Sequence, residues 1–98
     1  MSYPYQIKTL QQYHEAYKQS EENPEAFWGN IAEQFTWHKK WDKVLDWNFT
    51  EPKVEWFKGG QLNITENCID RHLATRGEEP ALIWEPNNPE ERTRIVTY

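Results

Sequence analysis

Apolar and polar positions change rhythm several times along the chain, and each rhythm predicts a different element. Leu10, Tyr13 and Tyr17 recur at helical spacing behind Thr9, which stands at capping-box distance from Gln12, and the polar run Ser20-Glu21-Glu22 closes this first helix. Ahead of it, residues 1–8, with Tyr3 and Tyr5 around Pro4, read as an extended arm. A second helix is signalled by Asn23 as N-cap, Pro24 at the first helical position and Glu25 placed to complement the dipole. Its apolar stripe is Phe27, Trp28, Ile31 and Phe35. The link between the two is so short that they should form a helical hairpin.

From Thr36 the helical period is lost. Trp37, Trp41, Val44, Leu45 and Trp47 crowd between Lys39, Lys40, Asp42, Lys43 and Asp46, a pattern that fits either a loose turn or a short strand. Pro52 separates two stretches rich in strand formers, residues 44–49 and 54–57, and Gly59-Gly60 demands a turn before Gln61-Leu62. A third helix of about three turns is predicted from Asn63 as N-cap and Glu66 three residues on. Ile64, Cys68, Ile69 and Leu73 lie on one side of it and Gly77 is its stop. Residues 81–85, the polar loop Pro86-Asn87-Asn88-Pro89 and residues 92–98 read as a β-hairpin. The fold class is α+β, with no internal repeat.

Composition narrows what such a chain can be. Its 98 residues allow one small domain or a part of a larger one. Hydrophobic residues make up 37%, which implies a small core, and 6 Trp, 5 Tyr and 4 Phe carry much of it. The net charge is −5, and no cationic run exceeds Lys39-Lys40 with Lys43, so neither nucleic acid nor an anionic membrane is an expected partner. The longest apolar run, Ala81-Leu82-Ile83-Trp84, is too short for a membrane span or a signal peptide. The chain is therefore expected to be cytoplasmic, and the sequons Asn48-Phe49-Thr50 and Asn63-Ile64-Thr65 to be decoys. The single Cys68 excludes an internal disulfide.

Candidate chemistry is sparse. Cys68 and His72 stand one helical turn apart, the spacing of a metal pair or a Cys-His dyad. The other histidines, His14 and His38, complete no ligand motif, so the pair reads as structural, with Cys68 a small buried hydrophobe beside Ile64 and Ile69. Lys58-Gly59-Gly60 lacks the flanking pattern of a Walker loop and reads as a turn. Glu21-Glu22, Glu78-Glu79 and Glu90-Glu91 fall in connections and read as solvated surface. The tryptophans could present a stacking platform to sugar rings or bases, but Trp28 inside an amphipathic stripe favours core or interface packing. No catalytic, cofactor-binding or metal-binding residue is expected. Because Ile95-Val96-Thr97-Tyr98 ends the chain inside a strand pattern, the sequence is expected to be a piece of a longer protein.

Five runs taken in order carry a family pattern: Asn23-Pro24-Glu25-Ala26-Phe27-Trp28, Trp41-Asp42-Lys43-Val44-Leu45-Asp46-Trp47, Trp56-Phe57-Lys58-Gly59-Gly60-Gln61-Leu62-Asn63, Asn67-Cys68-Ile69-Asp70-Arg71-His72-Leu73, and Ala81-Leu82-Ile83-Trp84-Glu85-Pro86 with Thr97-Tyr98. In order and spacing they closely resemble the N-terminal region of AMP-forming acetyl-coenzyme A synthetases over residues 9–98. Propionyl- and acetoacetyl-coenzyme A synthetases share the module more loosely. The resemblance implies the start of the large domain of an adenylate-forming enzyme. That parent would use Mg-ATP to convert acetate to acetyl-AMP and then transfer the acyl group to coenzyme A. It also implies that the phosphate loop, acetate pocket and catalytic lysine lie outside these residues, so none carries over, and that the fragment is inactive alone. The expected partner is the remainder of the synthetase, with self-association through exposed aromatics around Trp37, Trp41, Trp47 and Trp56. Two alternatives from other classes are a free-standing Trp-rich sugar- or peptide-binding module and a small Cys-His metalloprotein.

Overall fold

In the computed structural model, which describes residues 6–98, the chain divides into two units, one ending at Gln61 and the other running from Leu62 to Tyr98. Of the arm expected over residues 1–8, the first five lie outside the described residues. Gln6, Ile7 and Lys8 are exposed and without regular structure, and the Lys8 amide donates to Gln12 Oε1 at 2.8 Å.

In the first unit, α1 (Leu10–Glu22) begins as predicted, with Thr9 Oγ1 accepting from the Gln12 amide at 3.1 Å. α2 (Pro24–Ala32) follows after a single residue. Asn23 serves both helices: its own amide donates to Gln19 O at 3.0 Å, closing α1, and its side-chain oxygen accepts from the Ala26 amide at 3.2 Å, opening α2. α2 is shorter than its apolar stripe, and Phe35 lies past its end. The Ala32 carbonyl accepts from the Phe35 amide at 3.1 Å and from the Trp37 indole Nε1–H at 2.8 Å. That carbonyl is the one a continuing helix would offer to the Thr36 amide, so the helix stops there.

Beyond an irregular stretch pinned by a bridge between Lys39 and Gln61, β1 (Lys43–Asn48) and β2 (Lys53–Lys58) pair as an antiparallel hairpin. The ambiguous region is thus part loop and part strand. Asn48 Oδ1 accepts from the Thr50 amide at 2.9 Å and shapes the turn that contains Pro52. Register places Leu45 opposite Trp56 and Trp47 opposite Val54 on one face, and Asp46 opposite Glu55 and Asn48 opposite Lys53 on the other. β2 ends in a tight turn in which the Gly60 amide donates to Phe57 O at 2.9 Å, with Gly59 at φ 75° and Phe57 itself at φ 48°. Position 59 favours glycine because its φ of 75° lies in the left-handed region, where a side chain is strained.

The second unit corrects the expected third helix. Asn63 caps as predicted, accepting from the Thr65 amide at 2.9 Å, but α3 (Ile64–Cys68) lasts only five residues. A 3-10 turn (Asp70–His72) and the short α4 (Leu73–Arg76) follow a break at Ile69, whose φ and ψ are −123° and −65°. The Asn67 carboxamide donates to Asn63 O at 2.9 Å while its own amide reaches the same oxygen at 3.4 Å. A side chain competing for the carbonyl of the preceding turn weakens the helix ladder at this point. Gly77 stays right-handed, at φ −57°, instead of making a left-handed stop. β3 (Pro80–Trp84) and β4 (Arg94–Thr97) form the predicted terminal hairpin, with a bulge between Pro80 and Leu82. Arg94 lies over the Trp84 ring at 5.3 Å.

Burial is slight. Among the described residues, Ala32 at 3% exposure and Asn67 at 4% are the ones that reach full burial. The two units together are therefore an α+β arrangement whose aromatic groups are half covered.

Candidate functional site

The residue pair with the best chemical spacing does not come together as a site. The break at Ile69 separates Cys68 from His72, and Cys68 is exposed, so the expected buried thiol on a continuous helical face is overturned. The buried position in that turn belongs to its neighbour Asn67. His72 instead faces Tyr98 at 5.2 Å, and Arg76 lies over the same ring at 5.3 Å while donating from Nε to Glu79 Oε2 at 2.7 Å. Among the described residues no group of three or more His, Cys, Asp or Glu gathers closely enough to hold a metal ion.

Lys58-Gly59-Gly60 is a turn, as its sequence predicts, and its surroundings are wrong for a phosphate. The Asp42 carboxylate sits against Gly59, so the turn already faces an anion. The Lys58 ammonium points to other work: it donates to Asp46 Oδ2 at 3.0 Å and pairs with Glu55 at 3.2 Å. Asp46 also accepts from Lys53 at 3.0 Å and from Lys43 at 3.4 Å, and Lys53 reaches Glu55 at 3.5 Å. Hydrogen bonds from Lys53 and then Lys58 hold the Asp46 carboxyl far below the usual carboxylate range. Lys58 likewise lowers Glu55, and the two carboxylates raise Lys58 above its ordinary value. All three groups therefore keep their charge at neutral pH, which makes the cluster an ion-paired lattice on the hairpin, centred on Asp46 and Glu55, and a poor acid or base. The sequence reading missed it, although period-two alternation of Asp46 with Leu45 and Trp47 was the available signal.

The aromatic residues fall into two groups. Trp37, Trp41 and Phe57 form a half-buried cluster with centroids 5.0 to 5.5 Å apart, so two of the four tryptophans expected to be open are instead packed. Trp47 and Trp56 are 53% and 47% exposed. Their rings are not coplanar with their neighbours: Trp47 is inclined 58° to Phe49, and Trp56 81° to Trp28. Between α1 and α2 lies an open cleft of about 710 Å³, lined by Ile7, Phe27 and Ile31 with the carboxamides of Gln12, Gln19 and Asn30 and, among the described residues, by no ionisable side chain. It has hydrogen-bonding groups but nothing that transfers a proton or attacks a carbonyl.

Fold and site together define a small aromatic-rich α+β module with an ion-paired cluster on its first hairpin. Comparison with known proteins makes the assignment specific: the sequence model described as "Acetyl-coenzyme A synthetase N-terminus" matches residues 13–68. The chain is 50% identical over 91 residues to the acetyl-coenzyme A synthetase of Leptospira biflexa, covering 92% of this chain and 14% of that protein. It is 46% identical over 87 residues to the acetyl-coenzyme A synthetase of Bdellovibrio bacteriovorus, covering 88% and 14%. It is 49% identical over 85 residues to acetyl-coenzyme A synthetase 2 of Pseudomonas aeruginosa, covering 86% and 13%. The chain belongs to the acetyl-coenzyme A synthetase N-terminus family, and it spans about one seventh of the length of these curated relatives.

Proposed function

We propose that residues 9–98 are the N-terminal domain of an acetate–CoA ligase, a structural portion of its large domain that has no activity of its own. The whole enzyme converts acetate, ATP and coenzyme A to acetyl-CoA, AMP and diphosphate through acetyl-adenylate, in the cytoplasm, and the partner of these residues is the remainder of that synthetase. The observation that carries the reading is the 50% identity over 92% of the chain to a protein named as an acetyl-coenzyme A synthetase. The chemistry of the residues agrees with a structural role. A triphosphate fits poorly at the glycine turn, where the Asp42 carboxylate stands and Lys58 is engaged with Asp46 and Glu55. Among the described residues no helix is long and apolar enough to cross a membrane.

The test is a chimera in which this segment replaces the matching 91 residues of the Leptospira biflexa relative. Acetate- and CoA-dependent release of AMP and diphosphate should persist in it, whereas calorimetry on the 98-residue chain should give no saturable heat with ATP. A folded chimera without activity, or micromolar ATP binding by the short chain, would overturn the proposal.

A further inference from the structure

The β1–β2 hairpin has two chemically opposite faces. One carries Asp46, Glu55 and Lys53 in the ion-paired lattice, which favours contact with water. The other carries the cross-strand pairs Leu45–Trp56 and Trp47–Val54, with Lys43–Lys58 at its far end, where both lysines reach back to Asp46. Phe49 and Pro24 extend this second face around a shallow hollow of about 260 Å³ that, among the described residues, no ionisable side chain lines. Trp47, Phe49, Val54 and Trp56 are 53%, 76%, 55% and 47% exposed, a contiguous apolar patch of the kind that marks an interaction surface.

From this we propose that the Trp47–Trp56 face is where the module docks onto the remainder of the synthetase chain, against apolar, uncharged side chains of that body. The inference rests on the function proposed above and adds which face makes the contact. Two facts favour the body of the enzyme over a second copy. The chain accounts for only 14% of its relative's length, so most of the relative's surface lies outside it and is held close by covalent continuity. Two copies of this chain, at net charge −5 each, repel one another at long range.

Cysteine accessibility tests the orientation directly. In a Cys68→Ser background, Val54→Cys on the apolar face and Glu55→Cys on the ion-paired face are each introduced into the 98-residue chain and into the chimera with the Leptospira biflexa relative. Far-UV circular dichroism of each variant first establishes that its fold is retained. Alkylation at position 54 should slow by about ten-fold or more in the chimera, because a thiol beneath a docked surface reacts only through its opened state, while position 55 changes by less than about two-fold. Equal rates at position 54 in the short chain and the chimera would overturn the inference. So would equal protection of both positions, or protection of position 54 in the short chain that grows with concentration, which would make a second copy the occupant. The two proposals fail separately: an active chimera with a fully reactive position 54 refutes the docking face alone, and an inactive chimera with position 54 protected refutes the assigned reaction alone.

Discussion

Replacing Gly60 with alanine should destabilise the first unit through one aromatic ring. Gly60 lies outside the left-handed region, which among the described glycines only Gly59 enters, so the backbone accepts alanine there and the cost comes from what the new methyl meets. A Cβ at Gly60 would approach Trp37 Cζ3 to 2.7 Å, Phe57 O to 3.0 Å and Trp37 Cε3 to 3.3 Å. The indole has little room to retreat, because it packs edge-on against Trp41 at 5.0 Å, lies 5.5 Å from Phe57 and is tethered through Nε1–H to the Ala32 carbonyl at 2.8 Å. Overpacking of this kind costs about 1 to 3 kcal/mol. Displacing the ring also loosens the indole bond that satisfies the end of α2, which adds about 1 kcal/mol.

The reasoning is tested by a double-mutant cycle with Trp37→Phe. Phenylalanine lacks the outer indole ring that the methyl strikes and the Nε1–H donor, so Trp37→Phe alone should cost about 1 to 3 kcal/mol. In that background Gly60→Ala should cost less than about 1 kcal/mol, leaving only the close approach to Phe57 O, and the coupling should exceed about 1 kcal/mol. Urea unfolding followed by far-UV circular dichroism reads all four corners of the cycle. Costs that add to within about 0.5 kcal/mol, or a neutral Gly60→Ala in the wild-type background, would refute the claim that Trp37 is the wedge.

Asp46 and Glu55 bind protons less readily folded than unfolded, so the stability they contribute is complete above the ordinary carboxylate values of 3.8 and 4.5 and is lost as pH falls through and below them. The urea midpoint should therefore drop on acidification below about pH 5, less so at high salt, and Asp46→Asn should flatten that dependence. Lys58 has the opposite sign: its contribution holds below the ordinary lysine value of 10.5 and is lost as pH rises through its higher folded value, so Lys58→Met should remove an alkaline fall in the midpoint. Asn23→Ala should cost about 1 kcal/mol and lower helical ellipticity, since it removes the acceptor that opens α2. Cys68, being exposed, should be alkylated in the native chain at nearly the rate of the urea-unfolded chain, and Cys68→Ser should cost less than about 0.5 kcal/mol.

The features legible in the sequence were those settled by neighbours in the chain. Thr9, Asn23 and Asn63 each cap the helix they precede through a bond that closes within three residues, and the Gly59-Gly60 turn needed only its own φ angles. Misreadings arose where a side chain competed for a backbone group. The apolar period of α2 runs on to Phe35, but Trp37 and Phe35 both take the Ala32 carbonyl and the helix ends. Likewise the spacing of Ile64, Cys68 and Leu73 fits one helix, yet the Asn67 carboxamide takes the Asn63 carbonyl and the turn breaks at Ile69, while Cys68, still within α3, is exposed beside an equally uncovered Ile64. A binary apolar pattern counts which residues could face inward and is blind to such exchanges of acceptor.

Burial was the other misreading, and it has a different origin. Alternation along β1 separates Leu45 and Trp47 from Asp46, and the register sets those residues on opposite faces of the hairpin, a signal left unused while the stretch read as either a turn or a strand. What it could not specify is the surface that covers the apolar side. Trp37, Trp41 and Phe57 find one another within the first unit and become half buried, because the turn after β2 brings Gln61 back to pair with Lys39, between the two tryptophans. Trp47, Phe49 and Val54 have the same kind of side chain but no such return of the chain, and they remain exposed. The difference between the two aromatic groups is one of local closure and not of hydrophobicity. The group left open lies on the strand face opposite the lattice of fixed charges, which is the arrangement of a hairpin that keeps one side for water and one for protein.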